Sequence, residues 1–227
     1  MQTNKQRNLK TILKDMADIL SDNSYSTEKY NVRKFLQCAY NIFASWKIKW
    51  NYVMEEAYDE NRLWSIFQDF CRECGNGTWS LMCRANSKLV HHKAEFHNSV
   101  HKVLQTRGNI KKIIELIADV TEESSKNKIT GLTPFQLTAI LFASDEANFM
   151  VIDKPILEYF EYKDYRTALN NYQRIVDESR YYCKEFNLSM WNINKAYAIA
   201  SNQNKLFVKK LCGRCNFTNA KDYEYQF

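Results

Sequence analysis

The sequence predicts an all-α fold, and three observations lead to that prediction. The 227 residues include only five glycines and two prolines, whereas about 12 % of an average chain is glycine or proline. Apolar residues recur at spacings of three and four, which is the spacing of one helical face. No segment sustains the alternation of apolar and polar residues that is typical of a strand. Turn-rich sandwiches and barrels are therefore excluded, and 45 % hydrophobic residues suffice for a packed core.

The first three helices are predicted from runs of apolar residues and from the glycines that follow the third run. Their predicted ranges are about 9–19, 30–52 and 59–74. Gly75-Asn76-Gly77 ends the third helix, because glycine adopts the backbone conformation with which helices often end. These are the only two glycines close together in the chain. We therefore expect an N-terminal helical region over residues 1–77.

The remaining helices are predicted over residues 78–204, and a basic C-terminal segment over 205–227. A helix around 96–104 is broken by Gly108 and followed by another over about 110–117, and a polar loop occupies 124–128. Thr133 and Asp153 are suitable N-caps, each followed by a proline in the first helical turn. A single long helix is expected over 165–186. Ser189 then caps a last helix that extends to about residue 200.

Composition and charge narrow the kind of protein that the sequence describes. The first ten residues are polar and lack the apolar stretch of a signal peptide. No apolar run approaches the ~20 residues of a membrane helix. Seven cysteines, an odd number, are typical of a reducing compartment. We expect a soluble cytoplasmic protein, or a nuclear one in a eukaryote, without a membrane partner. The net charge of +6 permits a polyanionic partner.

Residues 129–153 contain the pattern on which the functional hypothesis depends. An apolar residue and Gly131-Leu132 precede a helix that starts at Thr133-Pro134, and a polar loop then leads to Asp153 at the next helix start. This order resembles the core of the helix-hairpin-helix DNA glycosylase superfamily. The resemblance covers roughly residues 94–200 and extends to four positions in a later helix pair, namely Tyr172, Arg180, Trp191 and Ala196. It implies a two-lobed helical bundle.

The resemblance also implies functional residues. Backbone N–H groups of the hairpin, at Gly131, Leu132 and Thr133, would contact a phosphate of duplex DNA, and Thr133 stands where the family has a second glycine. Asp153 would enter a base-excision pocket, where a carboxylate can stabilise positive charge at the sugar of a flipped nucleotide. Neither Phe135 nor Gln136 is the lysine of the family's lyases, so the enzyme would be monofunctional. The alternative is that Asp153 only caps a helix.

A second set of DNA contacts is predicted upstream of the hairpin. Gln105, Thr106 and Arg107 match the family segment that ends a helix near the extruded base. Lys111 and Lys112 belong to residues 84–112, the most basic stretch of the chain. Lysines along such a face would neutralise phosphates. The alternative is the charged surface of an ordinary helix.

Two CxxC pairs raise the question of a metal site. They are Cys71 with Cys74 and Cys212 with Cys215. Four thiolates arranged as a tetrahedron would bind zinc. The alternative, which we favour, is two unrelated pairs on helix ends and no cofactor, because the pairs are far apart in sequence, although the family resemblance would allow them to meet.

Two functions from different classes remain open. The first is a DNA-binding helix-hairpin-helix protein, with base excision by Asp153 as its enzymatic version. The second is a non-catalytic helical subunit that docks a protein partner in a nucleic-acid-targeting complex, such as a phage-defence system. A zinc-stabilised structural domain is a third.

Overall fold

The computed structural model describes residues 4–21, 27–55, 59–75 and 88–201. Within these ranges the secondary structure is entirely helical, so the predicted all-α class is confirmed for the described residues. A short 3₁₀ turn, Val90–His92, precedes the fourth helix. The helices are α1 Asn4–Ser21, α2 Thr27–Glu55, α3 Glu60–Gly75, α4 Lys93–Gln105, α5 Ile110–Thr121, α6 Pro134–Ser144, α7 Lys154–Phe160, α8 Tyr165–Asn170, α9 Tyr172–Phe186 and α10 Met190–Ala200.

The predicted helix starts are found at their capping residues. Asp153 accepts a hydrogen bond from the Ile156 N–H at 3.1 Å, and Ser189 accepts one from the Asn192 N–H at 3.2 Å. Thr133 is the N-cap of α6. The Asp153 and Ser189 side chains each satisfy a backbone N–H group that the first turn leaves without an intrahelical acceptor. The local sequence therefore determines where α6, α7 and α10 begin.

The single helix predicted over 165–186 is wrong, because the chain breaks it into α8 and α9 at Asn171. The Asn171 side chain donates to the Thr167 carbonyl at 2.8 Å, and the Asn171 N–H bonds to the Ala168 carbonyl three residues back. Asparagine side chains compete with the helix for backbone groups in this way. The apolar spacing continues through the break, which is why periodicity alone missed it.

A single core connects the N-terminal helices with the rest of the described chain. α1 packs against α9 and α10, and α2 packs against α4 and α6. Every residue of α6 is buried, and Phe142 on this helix lies 5.0 Å from Phe43 on α2, measured between ring centroids. The expected boundary at residue 77 lies outside the described residues. The division into regions and the two lobes therefore stay predictions, while the described helices on both sides share this core.

The described helices include none that combines the length and the apolar character needed to cross a membrane. The longest of them is α2, with 29 residues. It carries charged and polar side chains along its exposed face, including Lys34, Asn41 and Lys47.

Candidate functional site

A tight turn lies between α5 and α6 at the residues of the predicted hairpin, and we call residues 129–133 the hairpin. The Ile129 N–H donates to the Val120 carbonyl at 2.9 Å, which fixes the start of the turn to the last turn of α5. Gly131 has a φ of 87°, a conformation that residues with a side chain rarely adopt. The Leu132 N–H then closes the turn on the Ile129 carbonyl at 3.1 Å. Glycine is thus required at position 131 by the backbone itself.

Thr133 occupies the position of the family's second glycine without strain. Its φ of −130° is an extended conformation. Gln136 receives hydrogen bonds on its Oε1 from the Thr133 N–H, at 2.9 Å, and from the Thr133 hydroxyl. Two of the three expected phosphate donors, the N–H groups of Leu132 and Thr133, therefore already have intramolecular acceptors.

The residue before Asp153 is bonded to the second turn of α6, and the hairpin leads into the first turn. The Ile152 N–H donates to Thr138 Oγ1 at 3.0 Å, and that hydroxyl donates in turn to the Pro134 carbonyl at 2.9 Å. The segment before α7 is thereby fixed to the first turns of α6. The chain before Asp153 and the hairpin are therefore attached to successive turns of α6.

Asp153 is buried, with 7 % of its surface exposed, and it has a charged neighbour that sequence reasoning missed. Lys195 on α10 is only 2 % exposed. Its Nζ lies 3.4 Å from Asn194 Oδ1 and 5.1 Å from the centroid of the Trp191 ring. A lysine within the apolar helix α10 was the available signal, because lysine is almost never fully buried unless it is paired.

Burial shifts the pKa values of both charged groups toward neutrality. It raises the pKa of Asp153, while the Ile156 N–H, the Lys195 ammonium and the Asn194 amide oppose the rise. It lowers the pKa of Lys195, while Asp153 and, more weakly, Cys74 oppose the fall. Desolvation thus outweighs the attraction between the two charges. The result is a buried carboxylate and ammonium, each favouring its uncharged form more than it would in water.

Two of the residues that carried the family resemblance hold the loop before Asp153. The Tyr172 hydroxyl accepts from the Met150 N–H at 3.0 Å and donates to the Met150 carbonyl at 2.7 Å. Arg180 donates to the Ala147 carbonyl at 3.3 Å and to Asn148 Oδ1 at 2.6 Å. These bonds position the loop over residues 145–153. Both residues therefore have a structural role in placing Asp153.

The second predicted set of DNA contacts forms a turn between α4 and α5. Gln105 is exposed, and the Thr106 hydroxyl donates to the Lys102 carbonyl at 2.7 Å. Arg107 Nη1 donates to Asn51 Oδ1 on α2 at 2.7 Å. We call residues 105–112 the basic turn.

The basic turn lies at the opposite end of α5 from the hairpin. Lys111 and Lys112 are exposed in the first turn of α5, whereas the hairpin is bonded to Val120 in the last turn. About 12 Å of helix axis separates Lys112 from Val120. The basic turn and the hairpin therefore form two separate candidate contacts rather than one continuous patch.

The structure describes one of the two cysteine pairs. Cys71 and Cys74 are buried near the end of α3. Cys212 and Cys215 lie outside the described residues, so the shared zinc site stays a prediction. Among the residues that the structure describes, no group of three or more metal-binding side chains is close enough together to hold a metal ion.

Comparison of the chain with family models, curated proteins and solved structures found no match. The features of this chain that bear on its function are therefore the hairpin, the basic turn and the buried pair of Asp153 and Lys195.

Proposed function

We propose that this chain is a DNA-binding protein of the helix-hairpin-helix type, with the hairpin and the basic turn as its contacts to the phosphate backbone. The observation that supports this most directly is Gly131, whose φ of 87° makes a tight turn between α5 and α6. Backbone N–H groups of such a turn can contact phosphates without reading sequence, and those of Leu132 and Thr133 would exchange their intramolecular acceptors for a phosphate. The exposed Lys111 and Lys112 add charges that a polyanion would neutralise.

Binding to duplex DNA, and its dependence on salt, tests this proposal. We expect the affinity to fall steeply with salt, because neutralised phosphates release counterions. Reversing the charge of Lys111 and Lys112 should reduce the slope of log K against log salt by about two, roughly one for each lost contact. Fluorescence anisotropy of a labelled duplex measures the slope.

The matched control reverses two exposed lysines far from the basic turn, Lys14 on α1 and Lys184 on α9. This variant has the same net charge as the first. If both variants bind with the same affinity and slope, the basic turn is not part of the interface. If the wild type does not bind duplex DNA at low salt, the proposed function is wrong.

Base excision by Asp153 is the enzymatic version of the proposal, and a non-catalytic docking subunit is the second candidate. The burial of Asp153, its role as a cap and its proximity to Lys195 favour the second. The Asp153 carboxylate already accepts the capping hydrogen bond from the Ile156 N–H and interacts with the Lys195 ammonium. To act on a nucleotide it would have to become accessible at the face of the hairpin.

Substitution of Asp153 distinguishes the two candidates if the buried lysine is considered as well. Asp153→Asn keeps the cap but leaves Lys195 without its carboxylate, which typically costs 3–5 kcal/mol for a buried pair. The double variant Asp153→Asn, Lys195→Met removes both charges and is expected to be more stable than the single variant. On the enzymatic version, both variants lose about 10²-fold or more in single-turnover excision.

The measurement uses duplexes that contain damaged or modified bases, with urea unfolding to compare the stability of the variants. Excision that is equal in the wild type and the double variant would show that Asp153 is a cap only. Absence of excision by the wild type across the panel would favour the docking subunit.

A further inference from the structure

Two of the three large apolar side chains that are exposed within the described residues lie on one face of α2. They are Ile48, 62 % exposed, and Tyr52, 51 % exposed. Residues four apart in a helix are neighbours on its surface. Trp46, Trp50 and Val53 are buried and form the core-facing side of the same stretch of α2. The core therefore does not require a tyrosine at position 52.

The basic turn is attached to this part of α2. The hydrogen bond from Arg107 to Asn51 joins the basic turn to α2, and Asn51 is three residues from Ile48, which makes the two neighbours on the helix surface. Residues 96–114 include Lys102, Arg107, Lys111 and Lys112 but no aspartate or glutamate. The exposed Ile48 and Tyr52 thus lie on the same turn of α2 that is bonded to a segment with positive charge only.

An exposed aromatic ring and nearby cations are the groups that would bind an unpaired nucleotide. Proteins that bind single strands combine cations that follow the backbone with aromatic rings on which bases stack. Every base has a face that can stack, so such a surface tolerates many sequences. A stable protein interface, in contrast, needs about 800 Å² from each partner. Two apolar side chains beside a cationic turn are small for that purpose.

We propose that the face of α2 formed by Ile48 and Tyr52, together with the basic turn, binds unpaired nucleotides of a single strand. Tyr52 stacks on a base, and Arg107 and the lysines of the basic turn contact the adjoining phosphates. This inference rests on the proposed DNA-binding function and adds a substrate class to it. It also gives the chain a contact with bases, which the hairpin does not provide.

The experiment compares Tyr52→Ala with Tyr181→Ala in binding to a labelled single-stranded oligonucleotide and to a blunt duplex. Tyr181 is a matched control, because it is 55 % exposed and its ring lies 5.8 Å from Lys10 Nζ. We expect Tyr52→Ala to weaken single-strand binding by about 5- to 150-fold, the range for loss of one stacked base. Tyr181→Ala should bind as the wild type does, and duplex binding should be unchanged in both.

A conservative variant and a measurement of mass complete the test. Tyr52→Phe keeps the ring and is expected to retain single-strand binding. If Tyr52→Ala binds the single strand like the wild type while duplex binding is intact, the inference is wrong and the proposed function stands. If the wild type binds neither the single strand nor the duplex, both the inference and the proposed function are wrong. If Tyr52→Ala instead turns a dimer into a monomer in sedimentation, the face is a self-association surface and the inference is overturned.

Discussion

At the scale of single residues, the most consequential feature is the pair formed by Asp153 and Lys195. Both side chains are almost completely buried, and each has lost the hydration that stabilises its charged form. Their mutual attraction recovers only part of this loss, as the direction of both pKa shifts indicates. The pair is therefore a poor source of stability.

The pH dependence of stability provides a prediction for this pair. Burial raises the pKa of Asp153 from 3.8 to about 6, so its contribution to the free energy of unfolding is lost as pH rises through that range. Burial lowers the pKa of Lys195 from 10.5 to about 8, so stability is regained as pH rises from about 8 to 10.5. Relative to the variant Asp153→Asn, Lys195→Met, the wild type should be least stable between about pH 6 and pH 8.

Urea unfolding of both proteins across the pH range gives this difference directly, because other titrating groups contribute equally to the two curves. A difference that stays constant with pH would show that the two groups titrate at their ordinary values. If the wild type is instead more stable than the double variant, by the largest margin near pH 7, the attraction between the two charges exceeds the cost of desolvating them.

At the scale of elements, the hairpin between α5 and α6 determines the placement of the candidate site. Its glycine turns the chain, its threonine caps α6, and Thr138 two residues after Gln136 accepts the N–H that precedes Asp153. Since α6 is entirely buried, the helix that follows the hairpin and holds Thr138 lies in the core.

A pair of glycine substitutions tests how strictly the hairpin is determined. Gly131→Ala places a side chain at a φ of 87°, which costs about 1–2 kcal/mol. Gly108→Ala is the matched control, because a Cβ at that position meets nothing within 4 Å and such surface changes stay within about 0.5 kcal/mol. The free energy of unfolding measures both. Equal stability of the two variants would mean that the turn at Gly131 relaxes without cost.

At the scale of the whole molecule, the N-terminal helices complete the core beneath the candidate site. α1 lies against α10, which carries Lys195, and α2 lies against α6. Tyr40 on α2 packs edge-to-face on Trp191, with 5.7 Å between ring centroids. Residues far apart in sequence thus support the same site. The pairing of the two CxxC motifs belongs to this scale as well.

Metal analysis of the purified full chain tests that pairing. Zinc shared by Cys71, Cys74, Cys212 and Cys215 predicts near-stoichiometric metal, which Cys212→Ser should release with a loss of stability, since such a site forms together with the fold. Cys38→Ser, outside both pairs, is the control and should leave the metal content unchanged. Folded protein without zinc would instead support two unrelated pairs.

The sequence by itself determined the helical class and most helix limits, because these depend on interactions between residues close together in the chain. Apolar spacing predicted α5, and capping residues located the starts of α6, α7 and α10. The same features did not predict the break at Asn171, because it depends on one side-chain hydrogen bond within a continuous apolar pattern.

Only the tertiary structure decided which polar groups are buried together. Nothing near Asp153 in sequence predicts Lys195, since their contact depends on how α7 packs against α10. The attachment of the basic turn to Asn51 on α2 is likewise a result of packing between helices far apart in the chain. Desolvation and charge pairing are set by the whole surroundings of a group, and local sequence describes only a small part of those surroundings.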